Sequence, residues 1–125
     1  MNAITRQSVQ INLRIKHTAQ LFGIHFPLSI EPAIYAIAGS IAPEYSGAYW
    51  EFYRLSNGGF YMAPDLDKLY AVCCINGYEG KMSADALGIT ACLYAYSHLS
   101  FIGNAAFAEV CAEHYHSLRA FMLEH

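Results

Sequence analysis

Charged side chains are scarce in this sequence. They make up 14% of the 125 residues, against about 25% in an average soluble protein, while hydrophobic residues reach 55%. Such a composition excludes a disordered chain, because the apolar surface is sufficient to drive folding. The length suits one hydrophobic core, so we predict a single domain over residues 1–122. We interpret Leu123, Glu124 and His125 as the remnant of a polyhistidine expression tag.

The sequence also lacks a strong excess of either charge. It contains 7 lysines and arginines and 10 acidic residues, a formal net charge of -3. Nucleic-acid-binding proteins usually carry a basic surplus, and a protein that imitates DNA by charge needs about one negative charge per 1.7 Å of duplex. The net charge fits neither class. The first 30 residues differ, since Arg6, Arg14 and Lys16 occur there without any acid, and they form the candidate basic face.

Sequence motifs for catalysis and metal binding are missing. There is no Cys-x-x-Cys pair, no Gly-x-Ser-x-Gly elbow and no glycine-rich phosphate loop. His114 and His116 diverge on a helix, so we interpret His114 and nearby Cys111 as core residues. We therefore predict no catalytic residue, no metal ligand and no cofactor. The four cysteines are expected to be free thiols of a cytoplasmic protein, because no secretory leader opens the chain: Cys73, Cys74, Cys92 and Cys111.

A run without charged residues, 86–108, is long enough to cross a bilayer. Polar residues and the pair Gly103-Asn104 interrupt it, at a cost in lipid. We therefore predict two buried helices here and no membrane segment.

The N-terminal segment alternates apolar and polar residues from Val9 to Lys16, which is typical of a half-buried strand. A helix is an open alternative, because the segment is short and has no turn residues after Ser8. Further on, Glu31-Pro32 is typical of a helix start, and Pro43 predicts that the helix ends near Ala42.

The middle of the chain has the pattern of an antiparallel sheet. Residues 48–56 and 60–63 are rich in aromatic residues and flank Asn57-Gly58-Gly59, which predicts a tight hairpin with positive φ. The apolar run 69–75 predicts a third strand covered on both faces. The sum is a meander of three antiparallel strands, or four with the N-terminal segment.

The C-terminal third predicts two helices. Ser83 is a suitable N-cap, and Asp85 in the first turn suits the positive end of the helix dipole, so we expect a helix from Ala84 to about Phe101. Both sides of that helix are apolar, which predicts burial between two layers. Asn104 is expected to cap the last helix. The predicted class is α+β, with three or four helices, two of them C-terminal.

Aromatic residues of the hairpin are candidates for a stacking surface beside Arg54, although cross-strand aromatic pairs in a core are the favoured interpretation. Glu79 and Asp85 are candidates for an acid pair near the helix start, although capping and solvation are the favoured roles for both. The candidate binding residues are Trp50, Tyr53, Arg54, Tyr61 and Glu79.

Two long runs carry a family resemblance: residues 50–64, WEFYRLSNGGFYMAP, and residues 83–99, SADALGITACLYAYSHL. Together with Leu21-Phe22-Gly23 and residues 31–45, they resemble the ArdB/KlcA antirestriction family over roughly residues 21–120. The resemblance implies protection of incoming unmodified plasmid DNA from type I restriction-modification systems, with little effect on methylation by those systems. It brings no catalytic residue.

From this resemblance we expect an interaction protein and not an enzyme, acting without charge-based imitation of DNA. Its expected partner is the type I restriction-modification complex or the DNA substrate of that complex. The alternative is a direct nucleic-acid-binding protein that uses the Arg6, Arg14 and Lys16 face together with the aromatic hairpin. The sequence leaves the oligomeric state open between a monomer and a weak dimer.

Overall fold

The computed structural model describes residues 3–102 and 104–125. A 3₁₀ turn at Ile11–Leu13 precedes the first helix, and a π-helical turn at Phe26–Ile30 precedes the second. The strands and helices are β1 (Arg6–Ser8), α1 (Arg14–Phe22), α2 (Glu31–Ile41), β2 (Trp50–Leu55), β3 (Phe60–Pro64), β4 (Leu69–Cys73), β5 (Glu79–Ser83), α3 (Ala84–Leu99) and α4 (Ala105–Glu124). The predicted α+β class, with antiparallel strands and two C-terminal helices, is confirmed.

The main sheet has the strand order β1-β2-β3, and both pairings are antiparallel. The hairpin between β2 and β3 turns where Gly58 N donates to Leu55 O, and Leu55 N to Gly59 O. Gly58 has φ +89°, a conformation that residues with a Cβ rarely adopt. The predicted hairpin is therefore confirmed, with Gly58 as its positive-φ residue.

Helix α3 covers the free edge of β3. Tyr96 Oη donates to Phe60 O at 2.8 Å, and Cys92 Sγ donates to Met62 O at 3.6 Å. Successive carbonyls along a strand point to opposite sides. Phe60 O and Met62 O lie between the residues of β3 that bond to β2, so they point away from β2. The helix can approach so closely because a Cβ at Gly88 would lie 2.3 Å from Ala63 Cβ. The small residue at position 88 thus lets a helix protect the edge of the strand.

Helix α4 runs past the hairpin end of the sheet. Its cap is the predicted one, since Asn104 Oδ1 accepts from Phe107 N at 2.9 Å. Midway, Ser117 O accepts from Asn57 Nδ2 in the hairpin at 2.9 Å. Near the end, the Phe121 ring packs 5.8 Å from the ring of Tyr61. Met122, the next residue along the helix, is exposed.

Strands β4 and β5 form a separate two-stranded sheet, so the predicted continuous meander is wrong at this point. The edge of β3 that a third strand would need is occupied by α3. The expectation that residues 69–75 are covered on both faces is also wrong, because Leu69 and Ile75 are exposed. The polar sequence of β5 explains why the sequence did not predict it. A second, smaller core lies beneath this sheet: Ile41, Ala42, Tyr70, Val72, Cys74, Ala84 and Leu87.

The N-terminal segment adopts the helical alternative, and the strand prediction for Val9 to Lys16 is wrong. Pairing with β2 ends at Val9, whose N–H donates to Phe52 O at 2.8 Å. The chain then turns into α1, which buries Thr18 and Phe22. The alternating isoleucines and leucine of the pattern instead face solvent.

Within the described residues, no single helix is long and apolar enough to cross a membrane. Two consecutive helical segments, Ile11–Phe22 and Phe26–Ile41, together have sufficient length and apolar composition, and they are bent by 94° relative to each other. Helix α4 includes Glu124, and the interpretation of residues 123–125 as a tag remnant stays a prediction.

Candidate functional site

One polar cluster joins four elements of the fold. Arg6 comes from β1, Tyr53 from β2, Tyr61 from β3 and Asp85 from the first turn of α3. Arg6 Nη1 lies 2.6 Å from Asp85 Oδ1 and also donates to Tyr61 Oη, while Tyr61 Oη donates to Asp85 Oδ1 at 2.8 Å. We call these residues the Arg6 cluster.

Aromatic stacking completes the Arg6 cluster. Tyr53 and Tyr61 are cross-strand neighbours, and their rings stack with centroids 4.9 Å apart. The Arg6 guanidinium lies 4.4 Å from the centroid of the Tyr53 ring. Tyr53 is therefore packed between a cation and a second ring, and it does not offer a free stacking face.

The surroundings of the Arg6 cluster shift the pKa of both of its phenols. Burial raises the pKa of Tyr61, and its hydrogen bond to Asp85 acts in the same direction, outweighing the opposite effect of Arg6. Burial likewise raises the pKa of Tyr53. Both phenols keep their protons at neutral pH, so neither is prepared to act as a general base or nucleophile.

A cleft of about 690 Å³ opens beside the Arg6 cluster. Its rim is polar, with Arg6, Ser83 and Asp85, and its floor includes Ile89 and Phe121. The segment from Ala3 to Arg6 forms one side, and the start of α3 and the end of α4 form the others. No local pattern in the sequence predicts this site, because Arg6 and Asp85 are 79 residues apart.

The candidate binding residues from the sequence do not converge on one surface. Trp50 and Tyr61 are buried, with 4% and 0% of their surface exposed. Trp50 Nε1 donates to Tyr45 Oη at 2.8 Å, a core contact. Glu79 lies in the second sheet, where its carboxylate accepts from Cys73 Sγ at 3.7 Å. Asp85 instead pairs with Arg6, so Glu79 and Asp85 do not form the candidate acid pair.

The candidate basic face is also divided. Arg14 Nη2 lies 3.0 Å from Glu51 Oε1, and its guanidinium stacks 4.4 Å from the centroid of Phe52. Arg6 is neutralised by Asp85. Of the three, only Lys16 lacks an ion pair among the described residues, and it lines a different cleft together with Arg54. The three cations thus line three different clefts, and two of them are paired with acids.

Helix α4 places His114 inside the protein, 4.4 Å from the ring of Phe22 and 5.7 Å from that of Tyr96. Burial lowers the pKa of His114 to about 4, and the nearby His17 adds to the effect. Across residues 3–102 and 104–125, no three His, Cys, Asp or Glu side chains are grouped to hold a metal ion. The absence of a metal site stays a prediction.

The model of a family described as antirestriction proteins matches residues 43–125 of this chain. The antirestriction protein KlcA of Escherichia coli is 37% identical over 124 residues, which cover 98% of this chain and 87% of KlcA. The chain belongs to the antirestriction protein family.

Two further proteins are similar to this member of the antirestriction family. The uncharacterized protein YafX of Escherichia coli strain K12 is 40% identical over 116 residues, covering 90% of this chain and 74% of YafX. A solved structure superposes with a TM-score of 0.89 at 36% identity, covering 100% of this chain and 92% of the other. It comes from work on KlcA and ArdB, which show a novel fold and antirestriction activity against type I DNA restriction systems in vivo but not in vitro.

Proposed function

We propose that this chain protects incoming unmodified plasmid DNA against type I restriction-modification systems inside the cell. The observation that supports this most is the superposition over the whole chain on a structure from the KlcA and ArdB proteins, which act against those systems in vivo. Restriction enzymes meet incoming DNA in the cytoplasm, so the proposed function places the protein there. Its partner is the restriction complex or the DNA substrate of that complex.

We further propose that the protein acts by contact and not by catalysis or charge imitation of DNA. A mimic must present aligned carboxylates at the spacing of DNA phosphates. Here Asp85 and Glu51 are bound to Arg6 and Arg14, so they contribute little net negative field. The remaining acids are distributed over several elements. The cleft beside the Arg6 cluster is the proposed contact surface, since it combines an apolar floor with a polar rim.

Phage plating tests the function directly. Unmodified phage should form more plaques on restricting cells that express this protein than on cells carrying an empty vector. Phage already modified by the host should plate equally on both, because it is not a restriction substrate. An unchanged plating efficiency for unmodified phage, with soluble protein present, would contradict the proposed function.

The contact surface has its own test. Ala86 lines the cleft on α3, so Ala86→Phe should fill part of it and reduce protection. Ala120→Phe on the exposed side of α4 is the matched control and should protect like the parent. The triple variant Asp67→Asn, Glu109→Gln and Glu113→Gln should also protect. Loss of protection in the folded triple variant, with Ala86→Phe active, would favour charge imitation.

A further inference from the structure

A second cleft, of about 300 Å³, lies between β1, the start of the helical segment and β2. It lies apart from the cleft at the Arg6 cluster, and Arg6 and Asp85 do not line it. Two cations line it, Lys16 from α1 and Arg54 from β2, so we call it the Lys16–Arg54 cleft. Its other lining residues are mainly polar: Gln7, Ser8, Val9, Gln10, Leu13, His17 and Gln20.

The guanidinium of Arg54 is held in place without being neutralised. Gln7 lies directly opposite Arg54 across the two strands, and Gln7 Oε1 accepts from Arg54 Nε at 3.1 Å and from Nη2 at 2.7 Å. Arg6 and Arg14, in contrast, each contact a carboxylate. The neutral amide of Gln7 fixes the orientation of the Arg54 guanidinium and does not compensate its positive charge. Within the described part of the chain, Nη1 of Arg54 has no hydrogen-bond partner.

The neighbouring groups of the cleft also favour an anion. His17 Nε2 is buried without a hydrogen-bond partner among the described residues. Burial and the charge of Arg54 lower the pKa of His17. The first turn of α1 carries Arg14 and Lys16 but no acid, although the positive end of a helix dipole favours negative charge. Gln10, at the start of the 3₁₀ turn, makes no side-chain cap. An anion bound in the cleft would offset the charge of Arg54 beside His17 and would suit the positive end of α1.

The size and lining of the cleft suit a small oxyanion such as a phosphate group. A volume of about 300 Å³ is at the lower limit of ligand pockets, and it suits one phosphate with some of its water. Among the described residues that line the cleft there is no Phe, Tyr or Trp, so it lacks the large aromatic faces on which single-stranded nucleic acid usually stacks. Arginine binds phosphate oxygens through its planar fork, and lysine adds a point charge.

We propose that the Lys16–Arg54 cleft binds a single phosphate group, either free or as part of a nucleic acid backbone. The two sources share the same recognition chemistry and are separated by experiment. The proposal does not depend on the antirestriction function.

The test follows the imidazole resonances of His17 by NMR in the full chain while inorganic phosphate is added in chloride buffer. Phosphate should shift these resonances saturably and raise the pKa of His17, because the anion offsets the charge of Arg54. Arg54→Gln and Lys16→Gln should each weaken phosphate affinity about tenfold, as expected for the loss of one charge-assisted contact. Arg119→Gln, at an exposed position on α4, is the matched control and should leave affinity unchanged.

A parallel titration with a short DNA duplex distinguishes the two sources. Tighter binding of the duplex, weakened by salt and by the same two variants, would assign the cleft to a nucleic acid backbone. Saturation by phosphate with no response to the duplex would assign it to free phosphate. If neither ligand shifts His17, or if Arg119→Gln weakens binding as much as Arg54→Gln, the proposal is wrong. Because Lys16 is exposed, Lys16→Gln keeps the test valid should Arg54→Gln misfold.

Discussion

The hydroxyl of Tyr96 donates a 2.8 Å hydrogen bond to the backbone carbonyl of Phe60, 36 residues earlier in the chain. Both residues are fully buried. Phe60 O lies at the edge of β3 that faces α3, where the described residues contain no further strand. The Tyr96 hydroxyl therefore supplies the hydrogen bond that a neighbouring strand would otherwise donate.

Replacing Tyr96 by Phe should lower the free energy of unfolding by about 1–3 kcal/mol, because a buried carbonyl loses its hydrogen-bond donor. Urea denaturation of the parent and the variant measures this difference. Tyr115→Phe is the control, since Tyr115 is half-buried and its hydroxyl has no hydrogen-bond partner in the described part of the chain. Equal losses in the two variants would contradict a special role for the Tyr96 hydroxyl.

Gly88→Ala should lower the free energy of unfolding by about 1–3 kcal/mol, the range for overpacking a core. The added methyl would lie 2.3 Å from Ala63 Cβ and 2.5 Å from Met62 O, so α3 would have to move away from β3. Thermal unfolding by circular dichroism measures the effect. Gly39→Ala in α2 has nothing within 4 Å of the new Cβ and should stabilise by about 0.5–1 kcal/mol.

Gly58→Val should cost about 1–3 kcal/mol, since a β-branched residue is strained at φ +89°. Gly58→Asn should cost less, because asparagine tolerates positive φ better than valine. The two melting temperatures provide the comparison. If valine and asparagine are equally tolerated, positive φ at this turn does not limit stability.

His114 should make stability depend on pH between about 6.5 and 4. Burial holds the pKa of His114 at about 4 in the folded state, whereas the unfolded chain binds the proton near pH 6.5. The unfolded state therefore binds more protons in this window, so stability falls as the pH falls, by up to about 3 kcal/mol for this group. The groups facing His114 are the rings of Phe22 and Tyr96 and the imidazole of His17.

Urea denaturation at pH 7 and at pH 5 measures this dependence. His114→Gln should reduce the loss of stability between the two values, because glutamine does not titrate. His116→Gln, at an exposed position of the same helix, should keep the loss of the parent. The same slope in all three proteins would show that His114 is not the titrating group.

The four thiols should differ in reactivity. Cys73 is exposed, whereas Cys74, Cys92 and Cys111 are buried. Burial raises the pKa of Cys92 to about 12 and that of Cys111 to about 11, so both stay protonated at neutral pH. A thiol reagent should label one cysteine in the native protein and four after denaturation. Cys73→Ser should remove the native signal, and rapid labelling of a second thiol would contradict the burial of the others.

Local patterns predicted the elements whose signals lie within a few residues. The caps at Ser83 and Asn104, the turn at Gly58 and the start of α2 all depend on neighbouring residues, and the structure agrees with each. The pairing of β4 depended on whether β3 had a free edge. That was decided by a helix that begins 20 residues after β3 ends, so no local pattern contained it.

The N-terminal error has a different origin. In α1 the polar residues Arg14, His17 and Thr18 lie on the inner side, while Ile15 is exposed. The rule that apolar residues face the core therefore predicts the two-residue period of a strand here, whereas the segment is helical. The sequence could not predict the Arg6 cluster either. Arg6 lies in a strand of three residues, and nothing near it in the sequence indicates that Asp85 is its partner.

Helix α3 separates two cores, a large one under the main sheet and a small one under β4 and β5. The two layers therefore need not lose their backbone protection together. Amide protons of β4 and β5 should exchange with deuterium through a local opening that leaves the main sheet intact. Those in the middle of α3 should exchange only when the whole chain unfolds, since opening either side still leaves the helix packed on the other. The most slowly exchanging amide protons of the molecule should therefore lie in α3, between the two sheets, and not in a strand.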